Sequence, residues 1–325
     1  MDFVRRIWPT TLLAALLVGG SFFWLRHNEV LDWAAARGYE PSTAIEILTT
    51  DTGMTAYSKR LFYANRPAIE AKGPFNRHCT DPSEQVAVLG CFIGNRLGIY
   101  IYDVTDERLN GIEQVTAAHE MLHQAYQRLD KKEKTRINGL LQEYHDLTAT
   151  QKLKDKIASY NESEPEHLLN EMHSIFGTEA TDLPSELEAY YRQYFFDRGK
   201  ILALHQRYQS EFDRRIAQIN DFDNRLTDLK TNIEANKQDL DIRERELRQR
   251  RSQMDAYLAA NRIGEYNAAV PGFNALVVAY RSLVDSTNRM VDQFNSLLAE
   301  RNALAVQERQ LEDAIDSSVD TAPRQ

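Results

Sequence analysis

Beyond residue 200 the sequence runs in heptads, a pattern that leaves a chain little choice of fold. Phe212, Ile219, Phe222, Leu226, Leu229, Ile233, Leu240, Leu247 and Met254 keep to alternating three- and four-residue steps. Arg215, Asn236, Arg243 and Arg250 interrupt the same seam. A second run repeats the rhythm through Leu276, Tyr280, Leu283, Thr287, Met290, Phe294, Leu297, Leu304, Leu311 and Ile315. Between them, NRIGEYNAAVPG holds the breakers Gly264, Pro271 and Gly272. The pattern predicts an antiparallel helical (coiled-coil) hairpin over residues 200–318, with a first arm of roughly 60 residues reaching about 90 Å. Self-association through the same coiled coil is the other use such a region has.

The opposite end of the chain has a different character. Residues 7–25, IWPTTLLAALLVGGSFFWL, carry no charge, and a run of about 20 such residues suffices to cross a bilayer as a helix. Arg5 and Arg6 precede it, whereas Arg26 is soon followed by Glu29 and Asp32. That asymmetry predicts a cytoplasmic N-terminus, an uncleaved single-pass transmembrane anchor within residues 1–26, and an extracytoplasmic remainder. Cys79 and Cys91, the only cysteines, are then expected to form a disulfide. The net charge of -9 excludes nucleic acid as a partner, because phosphate binding needs clustered Lys and Arg.

Residues 27–199 form the expected globular part, and residues 319–325 a tail. PSTAIEILTT at 41–50 reads as a short helix capped by Ser42 or Thr43. KRLFYANRPAI reads as a strand. VAVLGCFI at 86–93 and GIYIYD at 98–103 flank a turn-like GNRL and read as a β-hairpin. From Gly111 to about Leu129 the spacing becomes helical. SEPE at 163–166 has the form of a capping box, and Gly177 that of a stop, so a helix is expected over 164–176.

Within the helix after Gly111 stands TAAHEMLHQAY. Four residues at helical pitch put His119 and His123 on one face, one turn apart, where both imidazoles reach a single ion. Glu120 is placed to act as general base and acid beside them. Imidazole ligands with one position left open for water suit zinc.

HEMLH at 119–123 resembles the zincin metallopeptidases. The metzincin continuation is missing, since Tyr126 and Leu129 occupy the places of its Gly and last His. In the gluzincin branch the third ligand is a Glu on a following helix, commonly after Asn, and Asn170–Glu171 match that pattern. The resemblance therefore implies one Zn2+ held by His119, His123 and Glu171, and covers roughly residues 85–180. Glu166, His167, His173 and Glu179 are rival ligands; His167 falls on the face of Glu171 and is a candidate to orient a ligand or to stabilise an oxyanion. The expected fold is α+β, with a small zincin-like domain ahead of the helical hairpin. The expected activity is membrane-tethered hydrolysis of peptide or protein substrates. A non-catalytic envelope scaffold and a zinc amidase acting on the cell wall are the alternatives.

Overall fold

A computed structural model describes residues 27–79, 89–163 and 165–318. The α+β expectation is corrected: the described residues are 77% helical, and the sheet among them has three strands. The helices are α1 (27–37), α2 (Thr43–Asp51), α3 (Ala56–Ala64), α4 (Lys72–His78), α5 (Ile112–Arg128), α6 (Lys131–Leu147), α7 (Gln151–Ser163), α8 (Leu168–Glu179), α9 (Ser185–Tyr191), α10 (Gly199–Ala259) and α11 (Ile263–Ile315). Strands β1 (Ala68–Glu70), β2 (Gly90–Phe92) and β3 (Ile99–Tyr102) lie in the order β1-β3-β2.

The transmembrane expectation is corrected as well. Residues 7–25 lie outside the described residues, and among the described residues no helix is long and apolar enough to cross a membrane. The two longest helices are amphipathic, with charged side chains along most of their length. The single-pass topology and the extracytoplasmic placement that rested on an anchor are withdrawn with it.

Most of the misread strand KRLFYANRPAI is α3. Its buried residues Ser58, Leu61, Phe62 and Ala64 follow helical spacing, and the Thr55 side chain caps it by accepting from Ser58 N. Only Ala68–Glu70 is extended, and it pairs in parallel with β3. The β2–β3 hairpin lies within the segment the sequence predicts, with Cys91 opposite Tyr100, while residues 86–88 of the expected first strand lie outside the described residues. Cys91 is disulfide-bonded to Cys79, so the edge strand β2 is tied to the end of α4.

The described chain divides into two compact units, one of residues up to Glu211 with those from Leu311 onward, the other Phe212–Gln310. The first is built around α5, which is buried along most of its length and packs chiefly on α8. The SEPE box does not start α8. That helix begins at Leu168, with His167 at the cap position and no side-chain cap. Gly177 is inside α8, where an added Cβ would meet Leu122 Cδ1 at 2.5 Å and the Tyr191 ring at 2.8 Å. The glycine serves close helix approach, not termination.

Where α8 ends, Arg198 replaces the missing helical donors. Its Nη1 donates to the carbonyls of Phe176 (3.3 Å) and Ala180 (2.5 Å), and its Nε to Glu188 on α9 (3.1 Å). Arg198 is 6% exposed, so one buried guanidinium joins α8, α9 and the approach to α10.

In the second unit, α10 and α11 pack together antiparallel. Leu226, Ile233, Met254 and Leu297 are buried. Arg301 donates to Asp223 at 3.0 Å and Asn236 reaches Met290 Sδ at 3.6 Å, pairs placed symmetrically about the turn. The turn is shorter than the breakers suggest. Asn261, with φ +55°, reverses the chain, while Pro271 lies within α11. An asparagine tolerates the left-handed region that the reversal needs.

Candidate metal centre

The geometry of α5 is fixed at both ends. Gly111 caps its start with φ +114°, and a Cβ there would lie 2.9 Å from the carbonyl oxygen of Leu204. Only glycine meets both conditions. At the far end Arg128 donates from Nε and Nη2 to Asp32 of α1, which also accepts from Arg96 in the β2–β3 turn. Asp32 is 1% exposed, so a buried carboxylate holds the hairpin and α5 to the same helix.

Along α5, His119 and His123 stand one turn apart with ring centroids 4.6 Å from each other. Glu171 on α8 faces both. Its Oε2 is 3.4 Å from His119 Nε2 and its Oε1 is 3.4 Å from His123 Nε2. Each imidazole nitrogen thus faces a different oxygen of the same carboxylate, and Glu171 bridges the two rings. Glu120 is near as well: ligand atoms of His119, Glu120 and His123 lie within 4.8 Å of one another, a group that could hold a metal ion. Glu120 belongs to that group, and Glu171 lies 3.4 Å from both imidazoles, so either carboxylate is placed to complete it.

Electrostatics sets the two carboxylates apart. Burial would raise Glu171, but the neighbouring imidazoles of His123 and His119 override it and hold its carboxyl down at about 2. For Glu120, burial dominates; His119 opposes the rise and Glu171 adds to it, leaving the carboxyl at about 7. A carboxyl poised there can both take up and release a proton near neutrality.

Nothing among protein families, curated proteins or solved structures matches this chain. The site's chemistry therefore rests on its own residues.

His167 is exposed, with Nε2 4.0 Å from Glu166, and acts on Glu171 only through its charge. His173 points into the core, where its Nε2 is 2.8 Å from Tyr190 Oη. Glu179 is engaged by Lys156 at 2.5 Å. Tyr190, Tyr191 and Tyr194 are buried core residues, as their helical spacing suggests. Two positions at the centre carry no motif. Ser174 Oγ lies 3.2 Å from His123 Nδ1, a hydrogen-bond contact that holds the ring against α8. Ser174 follows Glu171 by one turn of α8, and that spacing is the only sequence signal for it. Gly90 of β2 packs so closely that a Cβ would lie 2.5 Å from Thr116 Cγ2 and 2.9 Å from Glu120 Oε1.

Ser174→Ala is expected to weaken metal affinity about tenfold, since the imidazole loses its orienting partner. Competition against a fluorescent zinc chelator measures it. Unchanged affinity would show that helix packing alone fixes the His123 ring.

Proposed function

We propose that the first unit is a zinc-dependent metallopeptidase, with His119, His123 and Glu171 as ligands and Glu120 as general base and acid. The observation that carries this reading is the Glu171 carboxylate at 3.4 Å from both imidazoles, beside a second buried carboxyl held near neutrality. A donor set of two neutral imidazoles and one carboxylate, leaving one corner open, suits catalytic zinc.

Zinc, when bound, supplies Lewis acidity and makes water a nucleophile at neutral pH. The protein's own residues do the rest. Glu171 and the two imidazoles fix the ion, and Ser174 fixes one of those rings. Glu120, buried and 6% exposed, accepts a proton from the attacking water and returns it to the departing amine nitrogen. β2 is at the edge of the sheet, and its Gly90 lies against Glu120. An extended peptide can pair along such an edge, which brings its carbonyl groups past the carboxyl. This favours peptides over compact substrates.

The test is cleavage of a mixed library of short peptides by the full chain, followed by mass spectrometry. Cleavage is expected, its loss on treatment with a strong zinc chelator, and its return when zinc is restored. Cleavage that survives complete metal removal, or a zinc-loaded chain that cleaves nothing, would overturn the proposal.

A further inference from the structure

The hairpin of the second unit is asymmetric in a way that its own pairing does not use. Besides its seam residues, α11 carries a further row at seven-residue spacing: Val270, Val277, Val284, Val291 and Leu298. Its apolar arc is therefore about 100° wide, the width of a bundle helix and not of a two-helix seam. α10 covers that arc only in part, leaving Val270, Val277 and Val284 half-buried. Asn236, Arg243 and Arg250 occupy its seam positions, and the two arginines turn back to Asp239 (2.8 Å) and Glu246 (2.6 Å) on their own helix. Lys237 and Glu244, on the heptad position that flanks the valine row, pair with Glu234 (3.2 Å) and Arg248 (3.0 Å), again on α10 itself. No apolar residue of α11 from Ile263 to Met290 is fully buried, and Val291 and Leu298 are each 37% exposed.

What borders the valine row indicates what covers it. On its outer side stand Asn267, Asn274, Asn288, Asn295 and Asn302, all exposed and interrupted only by Arg281. A carboxamide both donates and accepts, so a row of asparagines complements a copy of itself, whereas a row of one charge repels its copy. We propose that this face of α11 docks on the same face of a second copy of this chain, antiparallel about a two-fold axis, to complete a four-helix bundle. An axis at Val284 brings Val277 against Val291 of the partner subunit, Val270 against Leu298 of the partner subunit, and Asn274 against Asn295 of the partner subunit. The rows match along their whole length because each repeats every seven residues.

Sedimentation equilibrium of the full chain tests this. At low-micromolar concentration the expected mass is twice 37.4 kDa, and the double variant Val277→Glu with Val291→Glu is expected to sediment at 37.4 kDa with unchanged helicity by circular dichroism. A wild-type monomer at this concentration would overturn the proposal. So would a dimer that survives both substitutions, which would belong to another part of the chain or to another surface. Should the double variant lose helicity, Val284→Cys decides. Mild oxidation is expected to cross-link it to its own copy, whereas Val306→Cys, on the outward face, stays uncrosslinked; failure of Val284→Cys to cross-link would contradict the two-fold.

Discussion

Glu120→Gln is expected to lower peptide cleavage by about 10²–10⁴-fold while zinc content stays at its wild-type level, because general acid–base transfer contributes about that much. The amide keeps the shape of the side chain and its place against Gly90, where a Cβ would already stand 2.9 Å from the carboxyl oxygen. What it loses is the proton that burial keeps available near neutrality. Metal content is the discriminating readout, because Glu120 lies within the cluster of ligand atoms around His119 and His123. Loss of zinc together with activity would make Glu120 a ligand, and the assignment of Glu171 would then need revision.

The largest effect on stability is expected from Arg198→Met, about 2–4 kcal/mol, because two buried carbonyls and a half-exposed carboxylate lose their donor together. Methionine has comparable bulk, so packing changes little. The cost lies in the groups left behind: the carbonyls of Phe176 and Ala180, which accept from Arg198, and the Glu188 carboxylate that faces it. Unsatisfied acceptors at a helix end are costly when water cannot reach them. Urea unfolding measures it through a lower midpoint at constant slope. A loss under about 1 kcal/mol would show that water replaces the guanidinium.

Local patterns located the His119, Glu120 and His123 cluster better than they foretold the fold. His119 and His123 face one point because they are one helical turn apart, which four residues of sequence specify. Glu171 was reachable only through the resemblance to gluzincins, since nothing local says which distant carboxylate packs against α5. Its neighbour Ser174 became meaningful once the α5–α8 contact was known. The heptads foretold two long helices, yet Pro271 and Gly272 misplaced the turn, because a proline tolerated inside α11 reads like a breaker. Gly177 misled in the same way. A glycine that permits close packing and one that ends a helix look identical until the neighbour, here Leu122, is in view. The strand assigned to KRLFYANRPAI failed because its aromatic and aliphatic residues suit either period, and burial in the core selected the helix. The apolar run at 7–25 dominated the reading of architecture, although no described helix has its character.

The most direct measurement is the metal content of the purified full chain by elemental analysis, beside His123→Ala and Glu171→Ala. About one zinc per chain is expected in the wild type and close to none in either variant, because a site with two remaining protein ligands binds weakly. Zinc retained at full stoichiometry by Glu171→Ala would assign the third ligand elsewhere, and a folded wild type without zinc would remove the metal centre altogether.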